Sequence, residues 1–124
     1  MIWTLAQVGA GGAIGAILRF LTQVGAARLF GPGFPVGTLA ANTLGSFAMG
    51  LLAVWLAERG LLRAAPFLMA GVLGAYTTFS TFSLDAWSLW ERGAPGLAAT
   101  YVAASLVLAL GGLWAGLIVG RAMA

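Results

Sequence analysis

Four long apolar runs alternate with short segments rich in charge, glycine and proline. The first covers about residues 2–25 and carries no charge before Arg19. Gly31-Pro32-Gly33-Phe34-Pro35 then reads as a loop, because proline cannot continue a helix and glycine does not favour one. The second run covers about residues 36–57 and stops at Glu58-Arg59-Gly60. The third starts at Pro66, a favoured first-turn residue, and covers about residues 66–90. The fourth follows Gly93-Ala94-Pro95, covers about residues 96–119 and precedes Gly120-Arg121. At a rise of about 1.5 Å per residue, a hydrocarbon core is crossed by about 20 residues, so each run is long enough. None shows the polar–apolar alternation of a barrel strand. The pattern predicts an all-α membrane protein, with four transmembrane helices forming one domain over residues 1–124.

Small residues recur along these runs. Gly11 and Gly15 are four apart, and Gly112, Gly116 and Gly120 repeat that spacing. On a helix this puts them on one stripe, where backbones can approach closely in lipid. Trp3, Trp55, Trp87, Trp90 and Trp114 fall near the expected ends, as interfacial aromatics do.

Composition narrows the function. Of 124 residues, 61% are hydrophobic and only 7% are charged, against about 25% charged in a soluble domain. That excludes a soluble enzyme. The net charge of +3 comes from arginines scattered singly, which does not fit nucleic-acid binding. Cysteine and histidine are absent, so disulfides, thiolate chemistry and the commonest proton shuttle are excluded. No basic segment precedes the first run, so it is expected to stay as a transmembrane helix.

With four spans, both termini and the 58–63 loop share one side, with Arg59, Arg63 and Arg121. The other side has Arg28 and Arg92, joined by Arg19 if it reaches that surface. Orientation follows Lys/Arg asymmetry, and here there is almost none. Either the chain inserts both ways round and pairs antiparallel, or the first helix fixes one orientation. Four thin helices enclose no channel by themselves, so a pore requires more than one copy.

No carboxylate lies at mid-depth, since Asp85 is close to Trp90 and an interface. A proton-coupled pump or an acid-lined cation pore therefore lacks its titratable group. Arg19 is the only charge within a span, and the other polar groups are mostly neutral donors, which favours an anion or a neutral solute. Thr38, Asn42, Gly45 and Met49 share one helix face. The Asn42 amide either joins two helices or meets a solute. Five of the seven residues in Thr77-Thr78-Phe79-Ser80-Thr81-Phe82-Ser83 carry hydroxyls, and Gly71 and Gly74 precede them. Two readings compete here: a helix broken at residues 74–78, or an intact helix whose hydroxyls bond back to its own carbonyls. A break would free carbonyls for a hard cation and helix ends for an anion. Phe79 and Phe82 either pack ordinarily or turn positive ring edges to a small anion. Tyr101 and Ser105, one turn apart, either extend a hydroxyl track or join helices.

The Thr77–Ser83 run resembles the signature of the Fluc (CrcB) family of fluoride channels. Gly15-Ala16-Ile17-Leu18-Arg19-Phe20 and Gly37-Thr38-Leu39-Ala40-Ala41-Asn42-Thr43-Leu44-Gly45 are similar to its first- and second-helix patterns, and Asp85 stands where an acid often follows the run. The resemblance implies an antiparallel, dual-topology homodimer with two pores, its third helix broken near the middle. It implies a passive, fluoride-selective channel in the plasma (inner) membrane of a bacterium or archaeon, exporting cytoplasmic fluoride to relieve its toxicity. By position, it assigns Asn42 as an amide donor to the ion, and Phe79 and Phe82 as its ring edges. Ser80 and Thr81 match polar pore positions, and Tyr101 and Ser105 match a polar track whose next position is Ala109 here. Arg19 matches a vestibule residue. Carbonyls of Gly74 and Thr77 match those holding a structural sodium ion at the dimer centre, with Ala75 where a second glycine is common. The implied partners are fluoride, a second copy of the chain and lipid; no organic cofactor and no nucleic acid is implied. Two alternatives stand beside this. A small four-helix proton-coupled multidrug antiporter requires a membrane-embedded glutamate in the first helix, which is absent. A non-transporting structural subunit would use its polar residues only to join helices.

Overall fold

A computed structural model describes residues 1–124, and the chain is all-helical without strands. Helix α1 is Ile2–Phe30 and α2 is Val36–Glu58. After a 3-10 turn, Leu62–Ala64, the third span opens with α3 (residues 66–76). Most of α3 is a π-helical stretch, Pro66–Leu73, followed by one α-turn, Gly74–Tyr76. The span resumes as α4, Phe79–Glu91, and the chain ends with α5, Pro95–Met123. Four segments are apolar and long enough to cross a membrane: Ile2–Phe30, Val36–Glu58, Leu62–Glu91 and Pro95–Met123. This is a multi-pass membrane protein.

The helix ends have local causes. α2 closes on Gly60, where Gly60 N–H donates to Ala57 O at 3.2 Å and Leu61 N–H to Leu56 O at 2.8 Å. That is a Schellman motif, and its φ of +66° at Gly60 suits a residue without Cβ. Two helices run past their expected ends. α1 continues through Gly25 to Phe30, and α5 reaches Met123. One glycine inside a helix costs only about 1 kcal/mol, whereas Pro32 cannot extend it, so α1 stops at the Gly31-Pro32 step.

Interhelical bonds fix which ends lie together. Gln7 Nε2 donates to Arg63 O at 3.4 Å and Arg59 Nη2 to Met123 O at 3.1 Å, gathering both termini around the 59–63 turn. At the opposite end Arg92 Nη2 donates to Gly33 O at 3.2 Å.

Glycines set the packing. α2 and α5 run side by side in the same direction. A Cβ added at Gly112 would stand 3.1 Å from Thr43 O, and one at Gly120 would stand 2.7 Å from Leu51 O. Between them, Gly116 is pressed against Phe47 O, and Gly50 returns the contact against Leu113 O. α1 meets α3 in the same way, with Gly11 against Phe67 O and Gly15 against Val72 O. Lipid tails offer no hydrophobic drive for helix association, so this backbone-to-backbone contact supplies the attraction. Only 17 of 124 residues are buried, so most apolar side chains face outward, toward lipid or a further copy. A core cluster of Phe82, Leu89, Ala98 and Tyr101 joins α4 to α5 beneath the α1–α2 loop, with Phe34 and Leu39 against it.

The third span is broken at Thr77 and Thr78 alone. Both are extended, with φ/ψ of −86°/156° and −153°/119°. The break is narrower than expected: Gly74, Ala75 and Tyr76 stay helical, and the hydroxyl-bearing pair departs.

Candidate functional site

The break is held from α2. Asn42 Oδ1 accepts from Thr78 N–H at 2.7 Å, and Asn42 Nδ2 donates to Thr78 O at 3.0 Å. One carboxamide thus pairs with both backbone groups of one extended residue, as a neighbouring strand would. Backbone unpaired in lipid is costly, so this pairing is what makes the break tolerable at depth. Thr78 then caps α4: its Oγ1 accepts from Thr81 N–H at 3.2 Å and donates to Thr81 Oγ1 at 3.2 Å. These bonds divert two donors. Thr78 N–H would otherwise close on Gly74 O, and Thr81 N–H on Thr77 O. The diversion leaves those two carbonyls without their helical partners.

Beside the break lies a groove of about 290 Å³ between α2, the third span and α5. Asn42, Ser46, Thr77, Thr78, Phe79, Phe82, Ser105 and Ala109 are among its lining residues, and none is charged. Asn42 is half-buried, and its second Nδ2 hydrogen has no acceptor within the chain. Ser105 is 7% exposed, and its Oγ is buried without a hydrogen-bond partner. A buried hydroxyl without a partner is uncommon; the other one, Thr43 Oγ1, does not line the groove. Phe79 and Phe82 have ring centroids 5.4 Å apart at 59°. They differ in setting: Phe79 is 75% exposed and Phe82 is 9% exposed.

A second cavity of about 310 Å³ lies toward the α1–α2 loop, lined by Gln23, Phe34, Thr38, Thr81 and Asp85 among others. An aromatic row separates the two spaces. Phe82 of the groove stacks on Tyr101 at 5.4 Å, and Tyr101 meets Phe34 of the second cavity edge-on at 5.5 Å. Tyr101 is fully buried in this row, and its hydroxyl donates to Asp85 Oδ2 at 3.0 Å.

The residues singled out from sequence therefore divide. Asn42, Phe79, Phe82, Ser105 and Thr77 meet at the groove. Thr81 lies on the second cavity, and Tyr101 stands between the two. Ser80 is exposed beside the break, its Oγ 3.3 Å from Thr78 Oγ1. Arg19 is half-buried on α1 and lines neither space. Ser46 and Gln23 line the spaces without having been singled out; the signal for Ser46 is its place one turn beyond Asn42.

This geometry accompanies a close kinship. The family model described as "CrcB-like protein, Camphor Resistance (CrcB)" matches residues 6–117. The chain belongs to this family. Among its CrcB-like relatives is a protein of Cereibacter sphaeroides named "Fluoride-specific ion channel FluC", 60% identical over 121 residues, covering 98% of this chain and 97% of the relative. A protein of the same name from Agrobacterium fabrum is 53% identical over 119 residues, covering 94% and 95% respectively. Another, from Paracoccus denitrificans, is 52% identical over 120 residues, covering 97% and 96%.

Proposed function

We propose that this CrcB-like chain is the subunit of a fluoride-selective passive channel, in which two antiparallel copies build two pores. It is a transport protein and not an enzyme. One observation carries the reading: a charge-free groove in which an amide hydrogen, a buried hydroxyl and two phenyl rings converge beside a broken span. Fluoride is small and strongly hydrated, so a pore must replace its water with several donors, each weak enough to release it. Asn42 and Ser105 supply such donors, and the rims of Phe79 and Phe82 supply positive edges. Beyond the rings the path passes Tyr101 toward Thr81, with Ser80 at the mouth of the break. Arg19 raises the local anion concentration.

Pairing follows from what one copy leaves open. The groove is open to the outside, and Phe79, which lines it, is exposed. The near-even distribution of arginines supports opposite orientations within the pair. The carbonyls of Gly74 and Thr77, left without those helical donors, suit a hard cation such as sodium, which would brace the break. In the inner membrane of a prokaryote, fluoride enters as HF, dissociates inside and leaves through the channel, assisted by the negative-inside potential. No carboxylate lies on α1, as an antiporter of this size would need.

The test is fluoride release from liposomes containing the purified protein, read with a fluoride electrode. Rapid fluoride efflux with no chloride efflux is expected. Release no faster than from protein-free vesicles would refute the proposal.

A further inference from the structure

We infer that Ser46 is a further fluoride-coordinating residue, and that α2 supplies the donor at a level of the pathway where α5 has none. The inference rests on the channel reading above.

Three observations carry it. The first is the missing back-bond. Thr22, Thr77, Ser83 and Thr100 each donate to the carbonyl four residues earlier, at 2.8–3.0 Å. That is one way a helical hydroxyl is satisfied, and Thr43 and Ser105 do without it. Ser46 makes no such bond to Asn42 O, nor any other within the chain, although it is half-buried. Its donor is unspent, like that of Ser105.

The second is position. Ser46 lines the same groove as Asn42, one turn further along α2. Its level on α5 follows from the interlocked glycines: Gly112 meets Thr43 O and Phe47 N, so Ser46 stands level with Gly112 and Leu113.

The third is the lining opposite. On α5 the groove is lined at successive turns by Ser105, Ala109 and Leu113: a hydroxyl, a methyl and an isobutyl group. Past Asn42, the other side chains at this end are apolar groups, the Met49 thioether and Thr77, whose methyl meets Gly45 and whose Oγ1 donates to Leu73 O. An anion moving from Ser105 past Asn42 would there meet carbon, sulfur and the Thr77 hydroxyl, whose hydrogen is already given to Leu73 O, with Ser46 as the single uncommitted hydroxyl donor. A partly dehydrated fluoride cannot cross such a stretch without a donor, because leaving an anion unsolvated is far costlier than leaving a neutral group so.

The test compares wild-type protein with Ser46→Ala, Ser46→Thr, Ser46→Val and the double variant Ser46→Ala/Ala109→Ser, by fluoride efflux from liposomes. Thr and Val have the same shape and differ only in the hydroxyl, so that pair decides the matter even if the alanine variant is poorly assembled. A hydrogen bond to a charged partner is worth about tenfold or more. Ser46→Ala and Ser46→Val are therefore expected to slow efflux at least about tenfold, Ser46→Thr to keep it, and the double variant to regain part of it, since a hydroxyl at 109 lines the same groove one turn away. A purely structural serine would not be rescued from the opposite helix. Equal efflux from Ser46→Val and Ser46→Thr overturns the inference while a conducting wild type leaves the channel reading intact. A wild type that passes no fluoride overturns both.

Discussion

Replacing Asn42 by alanine would remove both hydrogen bonds that hold the extended residue Thr78. Thr78 N–H and C=O would each lose their partner within the protein interior. An unsatisfied group of this kind costs about 1–3 kcal/mol, so the pair costs about 2–6 kcal/mol at the break. Stability can be followed by titrating SDS into mixed micelles and reading loss of helix by circular dichroism; the midpoint for Asn42→Ala is expected well below wild type. Flux should fall further than stability, because the free amide hydrogen facing the groove goes too. Asn42→Asp separates the two roles. It keeps an acceptor for Thr78 N–H, loses the donor to Thr78 O and places a negative charge beside the proposed anion path, so it should assemble better than Asn42→Ala yet conduct no fluoride. Wild-type midpoints and wild-type efflux in Asn42→Ala would refute the reasoning.

Other perturbations reach different parts of the molecule. Gly116→Val sets a branched side chain against Phe47 O in the α2–α5 contact; overpacking there costs about 1–3 kcal/mol, read as a lower SDS midpoint and less monodisperse protein on gel filtration. Phe79→Ile and Phe82→Ile should both slow fluoride efflux, but only Phe82→Ile should also lower the midpoint, because Phe82 is 9% exposed and stacks on Tyr101 at 5.4 Å whereas Phe79 is 75% exposed. Equal midpoints for the two would contradict that division. Exchanging sodium for a bulky organic cation is expected to weaken assembly of the pair, measured by crosslinking in micelles; identical crosslinking in both buffers would argue against a cation at the Gly74 and Thr77 carbonyls.

Features governed by neighbours in sequence were legible, and those governed by distant contacts were not. Proline and glycine at Gly31-Pro32 and Gly93-Ala94-Pro95 mark helix ends because they act on their own backbone. The Gly112–Gly116–Gly120 spacing announced a close helix contact but not its partner, which is α2. Gly25 misled in the other direction, because one glycine is too small a penalty to stop a helix that lipid favours. The π-helical form of Pro66–Leu73 has no local signature in the chain. At the groove, Asn42 and the Thr77–Ser83 run stood out by residue type. Of the two roles offered for Asn42, the structure shows the joining one: its amide bonds Thr78 of the third span, and one Nδ2 hydrogen has no acceptor within the chain. The commitment of the Tyr101 hydroxyl to Asp85 joins residues on different helices, and residue type alone does not reveal it.

The gathering of both chain ends beside the 59–63 turn bears on protein engineering. An even number of crossings means that a simple flexible tether between two copies would give them the same polarity. A single-gene version of the proposed opposed pair therefore needs one additional crossing in the connector, and on that proposal a tandem lacking it should be inert unless it recruits untethered copies.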